Sequence, residues 1–273
     1  MAKIDRLGWA DGMSFSAYGV RVGVRVNDRA ILNDLIARLP PGSKPGTFAV
    51  VDHLYSIIGS NPKTDSKVRR LSLGYWNLLR FARAREFGSV LEAFESHVQM
   101  TVAEFAPRRV FVHAGVVGWN DRAILIPGLS YSGKTTLVYQ LIRAGAIYYS
   151  DEYAVLDARG RVHPYPRAMG MRSPNSYASK RVRAEEIGAK VGSKPLRVGL
   201  VLSTNYKHGA RWRPREITRG RGVLELMSNT VSARSQPKMA LNVLPLALES
   251  ARILKGVRGE AAEIIDSILA QVP

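Results

Sequence analysis

The sequence predicts an α/β protein with a core of mixed β-sheet and flanking helices, preceded by a small α+β region. From Arg109 onward, short apolar segments alternate with turn residues and helical patterns, in the order strand, turn, strand, glycine-rich loop, helix, strand. Before that point, alternating segments and one long helical pattern indicate a separate unit. We therefore expect an N-terminal domain at residues 1–107 and a second domain at residues 108–273.

The elements predicted for the N-terminal domain follow from side-chain periodicity and turn composition. Apolar and polar side chains alternate at the start, and a later apolar stripe recurs at helical spacing from Val90 to Phe105. The predicted elements are an alternating segment at residues 14–26, a helix at 28–39, a Pro- and Gly-rich turn at 40–46, a strand at 47–58, a polar loop at 61–67 and a helix at 87–105.

In the second domain, two predicted turns separate neighbouring strands. Residues 119–122 contain Asn and Asp, and residues 157–160 end in Gly, so both are typical of hairpin turns. The predicted elements are strands at residues 110–117, 123–126, 146–149, 153–156, 161–163 and 197–203, a helix starting near residue 134, a mobile loop or active-site flap at 167–195, and helices at 222–232, 239–251 and 260–271.

Residues 128–136 read Gly-Leu-Ser-Tyr-Ser-Gly-Lys-Thr-Thr, which matches the phosphate-binding pattern G-x-x-x-x-G-K-[ST] between a strand and a helix. In this pattern backbone N–H groups wrap the β-phosphate, the lysine reaches the β- and γ-oxygens, and the following hydroxyl reaches magnesium. The sequence therefore predicts binding of ATP with Mg²⁺. The predicted nucleotide contacts are Gly128, Ser130, Ser132, Gly133, Lys134, Thr135 and Thr136.

Asp151 follows a predicted apolar strand, at the kind of strand end where ligands gather in α/β folds. A carboxylate there can accept the proton of an attacking hydroxyl group. Asp151 could equally be a turn or helix-capping residue, because Asp favours such positions. His113, beside a strand, has a similar alternative as a core or turn residue. His53, His97, His163 and His208 show no metal-ligand spacing.

Five segments resemble one known family: His113-Ala-Gly-Val-Val, residues 123–130, Gly133-Lys-Thr-Thr-Leu, Leu141-Ile-Arg-Ala-Gly-Ala and Ser150-Asp-Glu, with Tyr165-Pro-Arg after them. Together they resemble the catalytic domain of the bacterial HPr serine kinase/phosphorylase and its shorter relatives, over roughly residues 108–250. The phosphate loop is also similar to that of ATP-dependent phosphoenolpyruvate carboxykinase.

The resemblance implies a P-loop kinase core, an oligomeric assembly and particular residue roles. Lys134 and Thr135 fall on the phosphate and magnesium positions, Asp151 on the catalytic base, and Glu152 on a second metal ligand. His113 falls on the family histidine, and Arg172 on an arginine retained near the nucleotide. The chain departs from the family at two places: Tyr131 replaces a loop glycine, and Gly170 replaces a metal-binding glutamate.

Composition restricts the classes of partner. The 273 residues carry a formal net charge of +18, which favours an anionic partner, although the basic residues are spread along the chain as a solvated surface also would be. We expect an acidic protein or peptide before nucleic acid. The absence of cysteine excludes disulfides and thiolate metal sites, and no apolar run approaches a membrane span. A cytoplasmic location is the expectation.

Three functional classes remain open from the sequence. The first is an ATP-dependent kinase that phosphorylates a hydroxyl, expected to be serine, of a protein or peptide; a peptide-tailoring kinase of a lasso-peptide-type pathway is a variant of it. The second is a nucleic-acid-stimulated P-loop ATPase, which the net charge of +18 favours. The third is a nucleotide-dependent regulatory protein, which Tyr131 and the replaced glutamate favour. Carboxykinase activity is not expected, because the chain is too short for that family's substrate-binding half.

Overall fold

The computed structural model describes residues 3–59, 71–128, 132–172 and 179–273. The chain divides into two compact units, Met1–Pro107 and Arg108–Pro273. Within the described ranges, no helix is long and apolar enough to cross a membrane. The polar loop predicted at residues 61–67 lies outside the described residues.

In the described part of the first unit, six strands form one mixed sheet in the order β3-β1-β2-β4-β5-β6. The strands are β1 (Asp11–Ala17), β2 (Val20–Val26), β3 (Lys44–Gly46), β4 (His53–Ile58), β5 (Ser72–Trp76) and β6 (Leu79–Ala84). The helices are α1 (Leu32–Ile36) and α2 (Phe87–Phe105). Apolar side chains of β1, β2 and β4 form a core with the buried stripe of α2, which the helical periodicity predicted with its bounds.

Several predictions for the first unit were wrong in detail. The alternation over residues 14–26 crosses a hairpin: Tyr18 and Gly19 have φ of 51° and 90°, and β1 and β2 pair on either side of them. Alternation continues through such a tight turn because paired residues point to the same face. The helix predicted at residues 28–39 is a 3₁₀ turn followed by the short α1, and the strand predicted at residues 47–58 begins only at His53. Strands β5 and β6 were not predicted.

In the described part of the second unit, eight strands form a mixed sheet in the order β11-β10-β7-β8-β14-β16-β15, with β9 also paired to β7, and β12 and β13 form a hairpin. The strands are β7 (Val110–Trp119), β8 (Arg122–Pro127), β9 (Ile147–Ser150), β10 (Tyr153–Leu156), β11 (Val162–His163), β12 (Met169–Arg172), β13 (Ser179–Val182), β14 (Arg197–Tyr206), β15 (Arg215–Glu216) and β16 (Arg252–Arg258). The α-helices are α3 (Lys134–Arg143), α4 (Arg219–Met227), α5 (Pro237–Ala247) and α6 (Ile265–Leu269).

Helices cover both faces of this sheet. Apolar residues of α4 and α5 pack in one core cluster, and those of α3 and α6 pack in another on different sheet side chains. Strands β8, β14 and β16 run parallel in the centre, and β8 and β14 have the largely apolar, buried side chains expected of central parallel strands. Their carboxyl ends therefore lie along the same edge of the sheet. The predicted mixed α/β class is confirmed.

Three predictions for the second unit were wrong. Strand β16 was not predicted, although it is a parallel partner of β14. Residues 167–195 are not simply a loop or flap, because they contain β12, β13 and the 3₁₀ helix Glu185–Ile187, and Met169 is fully buried in the core. The helix predicted at residues 260–271 is a 3₁₀ helix, Ala261–Ile264, followed by α6. The hairpin turn at residues 119–122 was correct: Asn120 and Asp121 have φ of 47° and 57°.

Candidate functional site

Strand β7 brings the start of the phosphate-loop segment beside the two candidate carboxylates. The N–H of Gly128 donates to the carbonyl oxygen of His113 at 3.3 Å, and the N–H of Ala114 donates to the carbonyl oxygen of Glu152 at 3.1 Å. His113 and Ala114 are neighbours in β7. The chain after β8 and the turn between β9 and β10 are thus fixed to one point of the central sheet.

Lys134 is the first residue of α3 and lies against its own loop. Gly133, the residue before it, has φ of 81°, a conformation that favours glycine, and its carbonyl oxygen accepts from Leu137 N–H to begin the helix. Lys134 is buried, and its Nζ donates to the carbonyl oxygen of Gly128 at 2.7 Å. Burial lowers the pKa of Lys134, while the charges of the nearby carboxylates act against that shift. The lysine ammonium is therefore held against Gly128, the residue at which the phosphate-binding pattern begins.

Asp151 is a buried carboxylate contacted by hydroxyl groups. Its Oδ2 lies 3.4 Å from Thr135 Oγ1, and its Oδ1 lies 3.1 Å from the hydroxyl of Tyr148. That hydroxyl also lies 2.8 Å from the carbonyl oxygen of Arg167, so its single proton can serve only one acceptor at a time. Burial, followed by the charge of Glu152, raises the pKa of Asp151 to about 6. A carboxylate with such a pKa is suited to accept a proton near neutral pH.

Glu152 and His113 form a second pair beside Asp151. His113 Nε2 lies 3.2 Å from Glu152 Oε1. Burial raises the pKa of Glu152, but the hydrogen bond from His113 and the charges of His113, Arg167 and Lys134 outweigh it, so the net shift is downward. Glu152 therefore holds its negative charge more firmly than Asp151 does.

The other predicted site residues make few described contacts. Ser132 lies at the end of the loop with its hydroxyl oxygen buried and without a hydrogen-bond partner within the described chain, and Thr136 is exposed on α3. Ser130 and Tyr131 lie outside the described residues. Arg172 is described only through its backbone, as the last residue of β12.

Sequence reasoning missed three residues of this region. Tyr148 contacts Asp151, Arg167 faces both carboxylates electrostatically, and Arg258 donates to the carbonyl oxygen of Gly133. The position of Tyr148, three residues before Asp151 in an apolar segment, carried a weak signal. Arg258 carried none, because the strand that ends with it was not recognised.

The side chains fit a magnesium nucleotide. Thr135, Asp151 and Glu152 offer oxygen donors, the type that Mg²⁺ prefers. No group of three or more His, Cys, Asp and Glu side chains could hold a metal within the described ranges. Mg²⁺ would therefore also need phosphate oxygens, which is its usual mode in nucleotide sites. The N-terminus of the ten-residue helix α3 and the unpartnered hydroxyl of Ser132 fit the phosphates themselves.

Comparison with known proteins gives only a distant likeness. No model of a known protein family matches the chain, and no curated protein matches it in sequence. Among solved structures, the HPr(Ser) kinase/phosphatase from Coxiella burnetii is similar over 59% of this chain and 93% of that chain, with 13% sequence identity and a TM-score of 0.33. A likeness at this level assigns no residue roles, so function has to be argued from the chain itself.

Proposed function

We propose that the second unit binds MgATP and transfers its γ-phosphoryl group to a hydroxyl of a protein or peptide. One observation carries the proposal: the motif lysine, Lys134, donates to the carbonyl oxygen of Gly128 at 2.7 Å, while the hydroxyl of the next residue, Thr135, lies 3.4 Å from the buried carboxylate of Asp151. A phosphate cradle, a magnesium-ligand hydroxyl and a carboxylate are the parts that phosphoryl transfer needs in one place.

In this proposal the loop holds the phosphates. The backbone N–H groups at the start of α3 point toward the β-phosphate, and Lys134 neutralises the β- and γ-oxygens. The nucleotide contacts are assigned to Gly128, Ser130, Ser132, Gly133, Lys134, Thr135 and Thr136, with Arg172 as a further cation.

Magnesium would be held by Thr135, Asp151 and Glu152 together with phosphate oxygens, and it would supply charge neutralisation on the transferring group. The hydrogen bond between His113 and Glu152 orients the second of these carboxylates and keeps it ionised. His113 is accordingly assigned to positioning Glu152 at the site.

Asp151 is assigned as the base. As the acceptor oxygen forms its bond to the γ-phosphorus, the bond to the β–γ bridging oxygen breaks, ADP leaves, and the hydroxyl proton moves to Asp151. In the metal-free protein the pKa of Asp151 is about 6, so Asp151 is mostly ionised at neutral pH, and its carboxylate can accept that proton. When Asp151 is protonated, its O–H can donate to the Tyr148 oxygen while the Tyr148 hydroxyl donates to Arg167, so the contacts remain compatible after proton transfer.

The identity of the acceptor rests on weaker support. A serine hydroxyl is chosen from the resemblance of the sequence to HPr serine kinases, and an acidic protein or peptide from the net charge of +18. Recruitment of that partner, or assembly into a homo-oligomer, is proposed for the N-terminal unit. Transfer of labelled phosphate from γ-labelled ATP, followed by identification of the labelled residue, would define the acceptor.

The proposal is tested by calorimetric titration of MgATP into the wild type, Lys134→Ala and Arg143→Ala. Arg143 is the matched control, because it is an exposed cation in the last turn of the same helix. We expect Lys134→Ala to weaken MgATP binding at least about 100-fold, since it removes a charged contact to the phosphates, and Arg143→Ala to bind as the wild type does. Wild-type affinity in a folded Lys134→Ala protein would refute the phosphate-loop assignment.

A further inference from the structure

Arg258 lies at the same sheet edge as the phosphate loop. It is the last residue of β16 and is in register with Tyr206 at the end of the parallel strand β14. Strand β8, also parallel to β14, leads directly into the loop. Because the carboxyl ends of parallel strands share one edge, the fold carries this distant arginine to the site.

The guanidinium of Arg258 contacts the loop backbone directly. Its Nη2 donates to the carbonyl oxygen of Gly133 at 2.9 Å, and its Nη1 donates to the carbonyl oxygen of Gly259 at 3.1 Å. A Cβ atom added to Gly133 would lie 2.4 Å from Nη2, so a side chain there would displace the guanidinium. The contact fixes the arginine beside the residue that precedes Lys134.

Within the described residues, Arg258 forms no ion pair, although the charge of Glu260 acts on it. The side chain is only 2% exposed, and within the described chain no carboxylate forms an ion pair with it. Its Nε is buried without a hydrogen-bond partner. The nearby Glu260 instead accepts from the hydroxyl of Tyr206 at 2.7 Å. Burial lowers the pKa of Arg258, and the charges of Glu260 and Tyr206 oppose that shift without outweighing it.

A buried charge that is not held in an ion pair destabilises the folded chain. A purely structural contact to two carbonyl oxygens could be made by a neutral donor without that penalty. The second charge beside the loop is instead what a polyanionic ligand needs, since phosphoryl oxygens can be neutralised by an arginine that is already fixed in place.

We propose that Arg258 is the second cation of the phosphate site, which acts with Lys134 to neutralise the phosphate groups of the nucleotide. The inference rests on the proposed function of the loop. The second cation thus comes from the C-terminal strand of the same chain, and it already lies beside the phosphate loop.

The test compares Arg258→Met and Arg258→Lys with Arg252→Met, using calorimetric titration of MgATP and thermal unfolding without ligand. Arg252 is the matched control: it begins the same strand and is paired with Glu216 at 2.9 Å. We expect Arg258→Met to weaken MgATP binding about 10- to 100-fold. Arg258→Lys should weaken it less, because lysine keeps the charge and loses only the planar set of guanidinium donors. Arg252→Met should keep wild-type affinity.

Unfolding separates a ligand-binding role from a structural brace. Arg258→Met should unfold without ligand at the wild-type temperature or above it, since an unpaired buried charge is removed, and MgATP should then raise that temperature less than in the wild type. A lower unfolding temperature combined with wild-type MgATP affinity would overturn the inference. If Arg258→Met does not fold, Arg258→Gln replaces it, and wild-type MgATP affinity in that neutral variant is the overturning result.

The outcomes also separate this inference from the proposed function. If the wild type binds MgATP, Lys134→Ala loses binding and Arg258→Met retains it, only the role of Arg258 is wrong. If the wild type itself does not bind MgATP, the proposed function and the role of Arg258 are both refuted.

Discussion

Asp151 and Asp157 are both buried, only 8% and 6% exposed, yet their pKa values shift in opposite directions. They flank β10, one before the strand and one after it. The pKa of Asp151 is raised to about 6 by burial and by Glu152. Burial also raises the pKa of Asp157, but hydrogen bonds from His163 and from Arg161 and Arg159 outweigh it and lower the value to about 2.

The contacts explain the difference. Asp157 accepts the backbone N–H groups of Arg159 and Arg161 at 2.9 and 3.0 Å, and its Oδ2 lies 2.9 Å from His163 Nε2. The Arg161 guanidinium completes this set at 2.9 Å. Asp151 has hydroxyl neighbours and a second carboxylate instead. A carboxylate whose ionised form is fully satisfied by its own turn serves the fold, whereas one left under-satisfied is available to a ligand.

The largest expected effect is on turnover. Asp151→Asn keeps the size of the side chain but loses its charge, so phosphoryl transfer should fall on the order of 10²–10⁴-fold, the usual range for loss of a general base. Asp157→Asn is the matched control and should retain near-normal turnover under conditions where it is folded. Transfer of labelled γ-phosphate measures both. Near-normal transfer by folded Asp151→Asn would show that Asp151 is a turn residue.

A smaller effect is expected on stability. Here the sensitive residue is Asp157 and not Asp151. Asp157→Asn should lower the free energy of unfolding by about 2 kcal/mol at neutral pH, because the ionised carboxylate accepts two backbone N–H groups and pairs with the partly exposed Arg161. The lowered pKa means that the contribution of Asp157 is present above about pH 4 and is lost as the pH falls through about 2. Denaturant unfolding at neutral pH measures it. Equal stability of Asp157→Asn and the wild type would contradict a structural role.

The smallest expected effect is the pH dependence that Asp151 adds to stability without metal. Its folded-state pKa lies above the ordinary value, so its favourable contribution is present below about pH 4 and lost as the pH rises through about 6. The unfolding free energy of the wild type minus that of Asp151→Asn should therefore fall across this range. A difference that is constant or rises with pH would mean that the carboxylate is satisfied in the fold.

Some features of the site could be predicted from the sequence and others could not. The phosphate-loop pattern, the strand before it and the helix after it could be read locally, because each depends on residues close in the chain. Asp151 and Glu152 could be placed at a strand end for the same reason. That Thr135 lies near Asp151 could only be expected from the resemblance, because the contact depends on how β7 pairs with its neighbours.

The features that could not be predicted are mainly pairings between residues that are distant in the sequence. Strand β16 lies between segments with strong helical patterns, and its seven residues include Lys255, Gly256 and two arginines, so no apolar run marks it. Nothing in the sequence therefore distinguished Arg258 from the other arginines. His163 shows no metal-ligand spacing in the sequence, and in the structure it bonds the carboxylate of Asp157. Burial and pairing, which distinguish these residues, are properties of the folded chain.

The central claim is that the fold leaves Asp151 under-satisfied, and carboxyl NMR titration of the aspartates tests it most directly. Asp151→Asn and Asp157→Asn assign the two signals. We expect Asp151 to titrate at about pH 6 in the metal-free protein and Asp157 at about pH 2. Addition of MgATP should lower the pKa of Asp151 and leave that of Asp157 unchanged. An Asp151 signal that titrates at or below pH 4, with no response to MgATP, would contradict the account.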